Sequence, residues 1–542
     1  MKKISGNIVD LVNRRIYQGT LHIADDKIVG IIEEKVDQKH YILPGLIDAH
    51  IHIESSMLPP AEFARLAVVH GTVASVSDPH EIANVLGING IRFMIENGKK
   101  VPFKFYFGAS SCVPATSFET SGATLDAKDI DELLQNDDIK YLSEMMNYPG
   151  VLNKDPLVMT KIELAKKYQK PVDGHAPGLM GDDARQYIQA GISTDHECFT
   201  LEEAFEKIKY GMKVQIREGS AAKNFDALIP LIESHPEKVM FCSDDRHPDD
   251  LVREHINNHV KRALQKGYDL FDVLRAATLN PIEHYGLDVG LLRQGNDADF
   301  IIVDDLKNFN VLYTYVSGDL VYDKGKSKIP RVNFTPENNF YNNGIKASEL
   351  YLKPKGKNIN VIDTLDGQLI TKRTGAMIKT RNGNVVSNPD NDILKLAVLN
   401  RYEKAPPAIG FVRGFGLKHG AIASTVAHDS HNIIATGTSE ELLANAINLL
   451  VESGGGISVC DDSGDSMILP LPLAGLMSEE DGYQVAEKYE QIDRKAKALG
   501  SKLQAPFMTL SFMALLVIPE LKLSDKGLFD GREFVFTSLF TS

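Results

Sequence analysis

The run LPGLIDAHIHIE at residues 43–54 puts two histidines, His50 and His52, at the end of an apolar stretch of strand length. Side chains two apart in a strand point to the same side, so both imidazoles face one space. Residues of metal-binding type close later apolar runs as well: Glu144 in KYLSEMM, His175 in PVDGHAP, His196 in GISTDHE and Asp244 in VMFCSDD. Any one of them alone reads as an ordinary polar residue at a strand end, and an isolated His-x-His is a weak motif. Four imidazoles and two carboxylates together form a donor set suited to zinc, iron or manganese, with no thiolate to select among them. Six candidates exceed the three protein ligands of a mononuclear catalytic zinc, so two divalent ions sharing a carboxylate are expected. Such a pair brings the pKa of a shared water toward neutrality, and the chemistry expected is hydrolytic attack on a trigonal carbon.

Bringing these strand ends together requires a scaffold. Apolar, β-rich runs occur at 46–52, 72–77, 103–109, 139–145, 171–175, 191–196, 213–217 and 238–244. Helix-length amphipathic stretches follow most of them, at 61–70, 81–97, 157–168, 182–190, 200–210, 223–234 and 249–265. Eight β/α units over residues 44–286 match the size of a parallel (β/α)8 TIM barrel, an α/β fold whose sites lie at the carboxyl ends of the strands. A doubly wound open sheet is the structural alternative. Short strands with a hairpin at Asp25-Asp26 precede the barrel, and similar texture returns at 299–303 and 311–322. Residues 1–43 and 287–330 are therefore expected to form one small composite β-domain. After a polar connection from about Lys326 to Lys357, residues 331–542 read as a C-terminal α+β domain. Its clearest signal is a helix with Leu442, Leu443, Ala446, Ile447 and Leu450 on one face, a capping pattern at Thr438 and Glu441, and Gly454-Gly455-Gly456 as the stop.

Composition narrows the partners. The 59 basic residues against 73 acidic ones give a net charge of −14, which argues against nucleic acid and against an anionic membrane surface. No apolar run is long enough to span a bilayer, and the start, MKKISGNIVD, lacks a signal-peptide core. Cys112, Cys198, Cys242 and Cys460 are scattered without framework spacing, as expected in a reducing cytoplasm.

With these residues in view, the chain resembles the amidohydrolase superfamily, whose mark is PGLIDxHxH on the first barrel strand with two later histidines and a final aspartate. The resemblance implies that His50 and His52 bind the more buried metal, His175 and His196 the more exposed one, and that Asp244 is a ligand and proton shuttle. Many binuclear members bridge their metals with a carboxylated lysine; Glu144 stands at that position here and supplies the carboxylate directly. The subgroup it is similar to is that of the adenine deaminases, through HIHIESSMLPPAEFA (50–64), SDPHEIANVLG (77–87), SEMMNYPGV (143–151), DGHAPG (173–178), QIREGSA (215–221), SDDRHPDDL (243–251) and VAHDSHN (426–432). That resemblance implies adenine as substrate, manganese as the metal with iron or zinc as alternatives, and a homo-oligomer, a dimer.

Attack at C6 of a purine requires an acid for ring N1. Glu81, Glu218 and Glu197 are candidates, with His80 beside them. His80, Arg217 and His428 are candidates for substrate contact, although Arg217 could equally orient a carboxylate. Asp245, Arg246, His247 and Asp249 could support the ligands, and Asp249 could instead cap a helix. The cluster His428, Asp429 and His431 is either a metal-binding or substrate-contacting loop reaching a barrel mouth, its own or a partner's, or a hydrogen-bonded turn. No PCxxC accompanies an H-x-E motif, so the zinc deaminases that flip bases are not indicated. The alternatives are a cyclic-amide or N-acyl amidohydrolase on the same barrel, and a non-catalytic scaffold that has lost its metals.

Overall fold

The computed structural model describes residues 1–341 and 344–541. Eight parallel strands form the central ring: Leu46–His52, Thr72–Ser77, Lys104–Ala109, Ile139–Met145, Val172–Gly174, Thr194–Asp195, Lys213–Arg217 and Val239–Cys242, the last resuming at Asp244–Asp245. The first five pair in order, a parallel bridge from Val172 to Ile192 joins the fifth to the sixth, and the sixth, seventh and eighth pair in turn. Asp244 and Asp245 then pair with Ile51 and His52, closing the ring. The first two strands are buried along their whole length, which explains why they read as continuous apolar runs rather than alternating ones. Gly174 lets the fifth strand approach the sixth, since a Cβ there would meet the Thr194 carbonyl oxygen at 2.4 Å.

The helices depart from the sequence expectation where breakers intervene. The stretch 81–97 is two helices, His80–Leu86 and Ile88–Gly98, divided at Gly87 with φ 61°. The stretch 223–234 is two short helices, Phe225–Leu228 and Leu231–Ser234, separated around Pro230, which has no N–H to continue the ladder. The stretch 249–265 divides into Pro248–Arg253 and Ile256–Gln265. Pro248 takes the first helical position and His247 the cap, so Asp249 is not a cap; it lies in the first turn, where a carboxylate suits the helix dipole. An unanticipated helix, Ala127–Gln135, follows the third strand, with Asp126 accepting from the backbone N–H groups of Lys128 and Asp129.

A sheet of eight strands among the described residues draws on both flanks of the barrel. Tyr41–Pro44 lies between Lys2–Asp10 and Phe300–Val303, parallel to the first and antiparallel to the second. The period-2 alternation divides its residues between two cores. Val9, Leu43, Ile301 and Val303 pack with the barrel helices, whereas Ile8, Ile42, Phe300 and Ile302 form the small domain's own core.

The C-terminal region is built on a mixed sheet whose central strands are Ala408–Arg413, Leu394–Leu399, Ile433–Gly437 and Ala421–Ser424. The helix Glu440–Ser453 covers one side of it with Leu443, Ala446, Ile447 and Leu450. Its cap is Ser439, which accepts from the Leu442 N–H, while the Thr438 hydroxyl is spent on the Gly420 carbonyl. The stop at Gly454, φ 72°, is as expected. A second helix, Gly482–Ala498, docks this region on the barrel: Gly482 N–H donates to Glu62, Asp481 pairs with Arg65 at 2.9 Å, and Tyr489 packs on His247. Among the described residues no helix is long and apolar enough to cross a membrane.

Candidate metal centre

The register of the closing strand brings the first ligand group together. Asp244 pairs beside Ile51, between the two histidines, with φ 54°, a left-handed conformation that aspartate tolerates. Its Oδ1 lies 3.5 Å from His50 Nε2 and 3.3 Å from His52 Nε2, and the two imidazole nitrogens are 3.2 Å apart. His52 Nδ1 donates to the Asp78 carbonyl at 3.2 Å, which leaves the Nε2 lone pair free to ligate. Beneath them Asp48 ties the first strand to the eighth, accepting from the Ser243 N–H at 3.0 Å and pairing with His255 at 2.8 Å.

Glu144 connects this group to a second. Its Oε2 is 2.9 Å from His175 Nδ1 and 3.2 Å from His196 Nε2, and its Oε1 is 3.4 Å from His52 Nε2 and 3.5 Å from His80 Nδ1. The loops carrying His175 and His196 are tied together by Lys207. Its Nζ donates to the Ala176 carbonyl and to Glu203, both at 2.7 Å, and to Asp195, whose Oδ1 accepts from the Glu197 N–H at 3.0 Å.

This donor set fits divalent metal. Ligands ~2.0–2.2 Å from one tetrahedral ion stand ~3.3–3.6 Å apart, close to the 3.2, 3.3 and 3.5 Å edges of the His50, His52 and Asp244 triangle. Metal binding needs charged carboxylates and neutral imidazoles. Burial by itself would push Glu144 up, but His175 and His196 hold it well below the usual carboxylate range. Burial likewise opposes charge on Asp244, and Arg217 with His50 and His52 outweighs it and holds that group well below its usual range. Burial lowers His196, favouring its neutral form; burial opposes charge on His50, His52 and His175 too, but the facing carboxylates raise all three, His175 to about 9, so metal binding there displaces protons.

Arg217 is fully buried and directed at carboxylates. Its guanidinium grips both oxygens of Glu197, one of them at 2.8 Å, and reaches Asp244 Oδ2 at 2.8 Å. Of the two roles the sequence left open for it, the structure displays the orienting one; Arg217 is not on the cavity wall. Glu218 is brought elsewhere: its carboxylate pairs with Arg262 at 2.8 Å, outside the ligand cluster. Glu81, also off the wall, lies 3.2 Å from His428 Nδ1 and accepts from Ser55 at 3.0 Å. Burial pushes its carboxyl up, and also that of Glu54, which beside Glu81 reaches about 8. Asp245 accepts from Ser55 at 2.6 Å and faces His428 at 3.9 Å. Arg246 holds the Glu218 and Asp250 carbonyls instead.

The ligands open into a small cavity lined by His52, His80, Glu144, His175, His196, Glu197, Asp244 and Asp245 of the barrel. Its remaining walls are Met146 and, from the C-terminal region, Leu369, His428, Asp429, Phe512 and Leu515. Of the two readings of the 428–431 cluster, the structure displays the loop that reaches the barrel mouth: His80 Nε2 lies 3.6 Å from Asp429. His431 remains turn-forming, its Nδ1 accepting from the Ala427 N–H. Leu369, Phe512 and Leu515 carried no sequence signal, because apolar residues in an α+β domain read as core. Asp78 and Lys207 were equally silent, although SDPHE contained the first.

Two family models match the chain: the amidohydrolase family over residues 41–321 and the adenine deaminase C-terminal domain over 368–535. An adenine deaminase of Sulfurovum is 57% identical over 98% of this chain and 99% of its own length. One from Methanosarcina mazei is 53% identical over the whole of both chains, and one from Salinibacter ruber 54% identical over 99% and 98%. Matched from end to end at more than half identity, and matching both family models, the chain belongs to the adenine deaminases of the amidohydrolase family.

Proposed function

We propose that this protein converts adenine and water to hypoxanthine and ammonia at a pair of divalent ions, manganese being the expected metal and iron or zinc the alternatives. The observation that carries the reading is Glu144, one carboxylate whose two oxygens stand among four imidazoles inside a chain matched end to end by adenine deaminases. His50, His52 and Asp244 would hold one ion, His175 and His196 the other, and Glu144 both. Bound there, the ions would supply the charge that ionises water near neutral pH.

The chain's own residues handle the protons. Asp244 is anchored through Oδ2 by Arg217 and turns Oδ1 toward His50 and His52. In that position it takes the proton of the water that attacks C6 and passes it to the departing amine. A C–O bond forms at C6 and the C–N bond breaks; one proton of the water leaves with ammonia and the other is replaced by the proton that ring N1 carries in hypoxanthine. Charge that would build on ring N1 is met from the cavity wall, where His80 and His428 present imidazoles and Glu81 stands behind His428. Glu218, paired with Arg262, has no part in this scheme. A cytoplasmic setting in purine salvage and a homodimeric assembly accompany the proposal, and the four cysteines, all free and buried, agree with it.

The test is direct. Metal-loaded protein is incubated with adenine while ammonia and purine absorbance are followed, and bound metal is counted. Turnover that is lost on chelation and restored by manganese, with about two ions per chain, is the expected result. No turnover of adenine alongside hydrolysis of a hydantoin or an acyl-amine would favour the amidohydrolase alternative. Well under one metal per chain would revive the scaffold.

A further inference from the structure

The polar half of the cavity is accounted for by metal ligands and proton-handling groups, but four apolar side chains, Met146, Leu369, Phe512 and Leu515, also line it. Three of them come from the C-terminal region. Metal chemistry does not require them. A planar heteroaromatic base does, because its edges are read by a few polar groups while its faces demand apolar or aromatic cover.

Their placement depends on one strand. Leu521–Ser524 runs between the segment that carries Leu369 and the end of the helix Pro506–Phe512. Thr371 donates to the Leu521 carbonyl at 2.8 Å, and the Leu523 N–H donates to the Met513 carbonyl at 2.9 Å. Between these two ties, Lys522 Nζ donates to the Leu369 carbonyl at 2.6 Å and to the Phe512 carbonyl at 2.9 Å. The lysine is fully buried, and its two recorded acceptors are those carbonyls, each belonging to a residue whose side chain faces the cavity. Burial alone brings its amine down to about 7. Even a neutral amine keeps two N–H donors, enough for both bonds. Phe512 in turn lies against His428, ring centroids 5.4 Å apart, so the wall also backs an imidazole that faces the substrate space.

We propose that the C-terminal domain supplies the ring-binding half of the site: Phe512, with Leu369 and Leu515, covers the face of the planar purine, and Lys522 is the positioning residue that sets this wall. This rests on the adenine reading above.

The experiment compares metal-loaded wild type with Phe512→Ala, Phe512→Leu, Leu515→Ala and Lys522→Met. It records kcat and KM for adenine, the Kd of the product hypoxanthine, and bound metal. Expected are a rise of about tenfold in KM and in hypoxanthine Kd for F512A, a smaller one for F512L, kcat changed by less than about threefold, and unchanged metal content; such a split marks loss of uniform ring binding. K522M should reproduce the F512A pattern. Should K522M not fold, Lys522→Gln, which retains an N–H donor pair, replaces it and should fall between wild type and F512A. Wild-type KM and Kd in F512A and L515A, or a fall confined to kcat, would overturn the proposal. A wild type that is inert toward adenine would instead defeat the adenine reading.

Discussion

Arg217 is where removing one side chain should cost the most. It is 1% exposed, holds Glu197 through both oxygens and reaches Asp244 Oδ2 at 2.8 Å. Replacing it with Met leaves two carboxylates buried without their cation. At an effective dielectric of about 20 and charge centres ~4 Å apart, each pair is worth ~4 kcal/mol gross. The guanidinium's own desolvation penalty is relieved in the variant, which brings the net loss to ~3–5 kcal/mol, the usual cost of breaking a buried ion pair from one side. Urea unfolding measures it, followed by far-UV circular dichroism because the chain has no tryptophan. Bound metal offsets the same two negative charges, so the loss should be larger in the metal-free protein than in the loaded one. Because the cost comes from unpaired charge, R217M/E197Q should recover ~2 kcal/mol relative to R217M. Turnover should fall ~10²-fold as Asp244 loses its anchor. An R217M protein within ~1 kcal/mol of wild type, or a double variant no better than the single one, would refute this electrostatic account.

Other consequences can be checked separately. His428→Ala should lower adenine turnover by ~10²-fold, since His428 faces the cavity and Glu81; because Glu81, Asp245 and His428 also form a donor cluster, bound metal is counted alongside, and unchanged turnover and metal content would remove it from the mechanism. Glu218→Gln should leave kcat within about twofold, because its carboxylate is committed to Arg262. Lys207→Met should weaken metal binding at the His175 and His196 group by ~10–100-fold, read as bound ions per chain, because it unties both ligand loops. The Lys522 amine, about 7 when folded, lies below its unfolded value, so the charged form is disfavoured in the folded state. Stability contributed by this group is therefore lowest below pH 7 and rises above it, by up to ~1.4 kcal/mol per pH unit. K522M should lack that slope between pH 7 and 9, and equal slopes in the two proteins would contradict it.

Much of the barrel was legible because its strands are buried on both faces and therefore read as unbroken apolar runs. The candidate ligands were legible because they lie at or near the ends of those runs: the structure brings His50, His52, Glu144, His175, His196 and Asp244 together. Helix boundaries were less so. Gly87 and the Pro230 region divide stretches whose apolar periodicity alone runs straight through, and Ser439 displaced Thr438 as a cap because the threonine hydroxyl found the Gly420 carbonyl. Glu218 looked as eligible as Glu81 until Arg262, on the helix Ile256–Gln265, was in place beside it.

By itself, the sequence picked out the candidates: which side chains are of a type to hold metal, near which strand ends they lie, and that β-rich flanks and an α+β segment accompany the barrel. Periodicity and residue type are local properties, and these conclusions need nothing more. Only the tertiary structure decided who faces whom. It directed Arg217 to Asp244 and Glu197, made Lys207 the tie between two ligand loops, and brought Phe512, Leu369 and His428 over the barrel mouth. Those pairings join residues far apart in the chain, and the register of the closing strand and the docking of one domain on another set them, which no local pattern encodes.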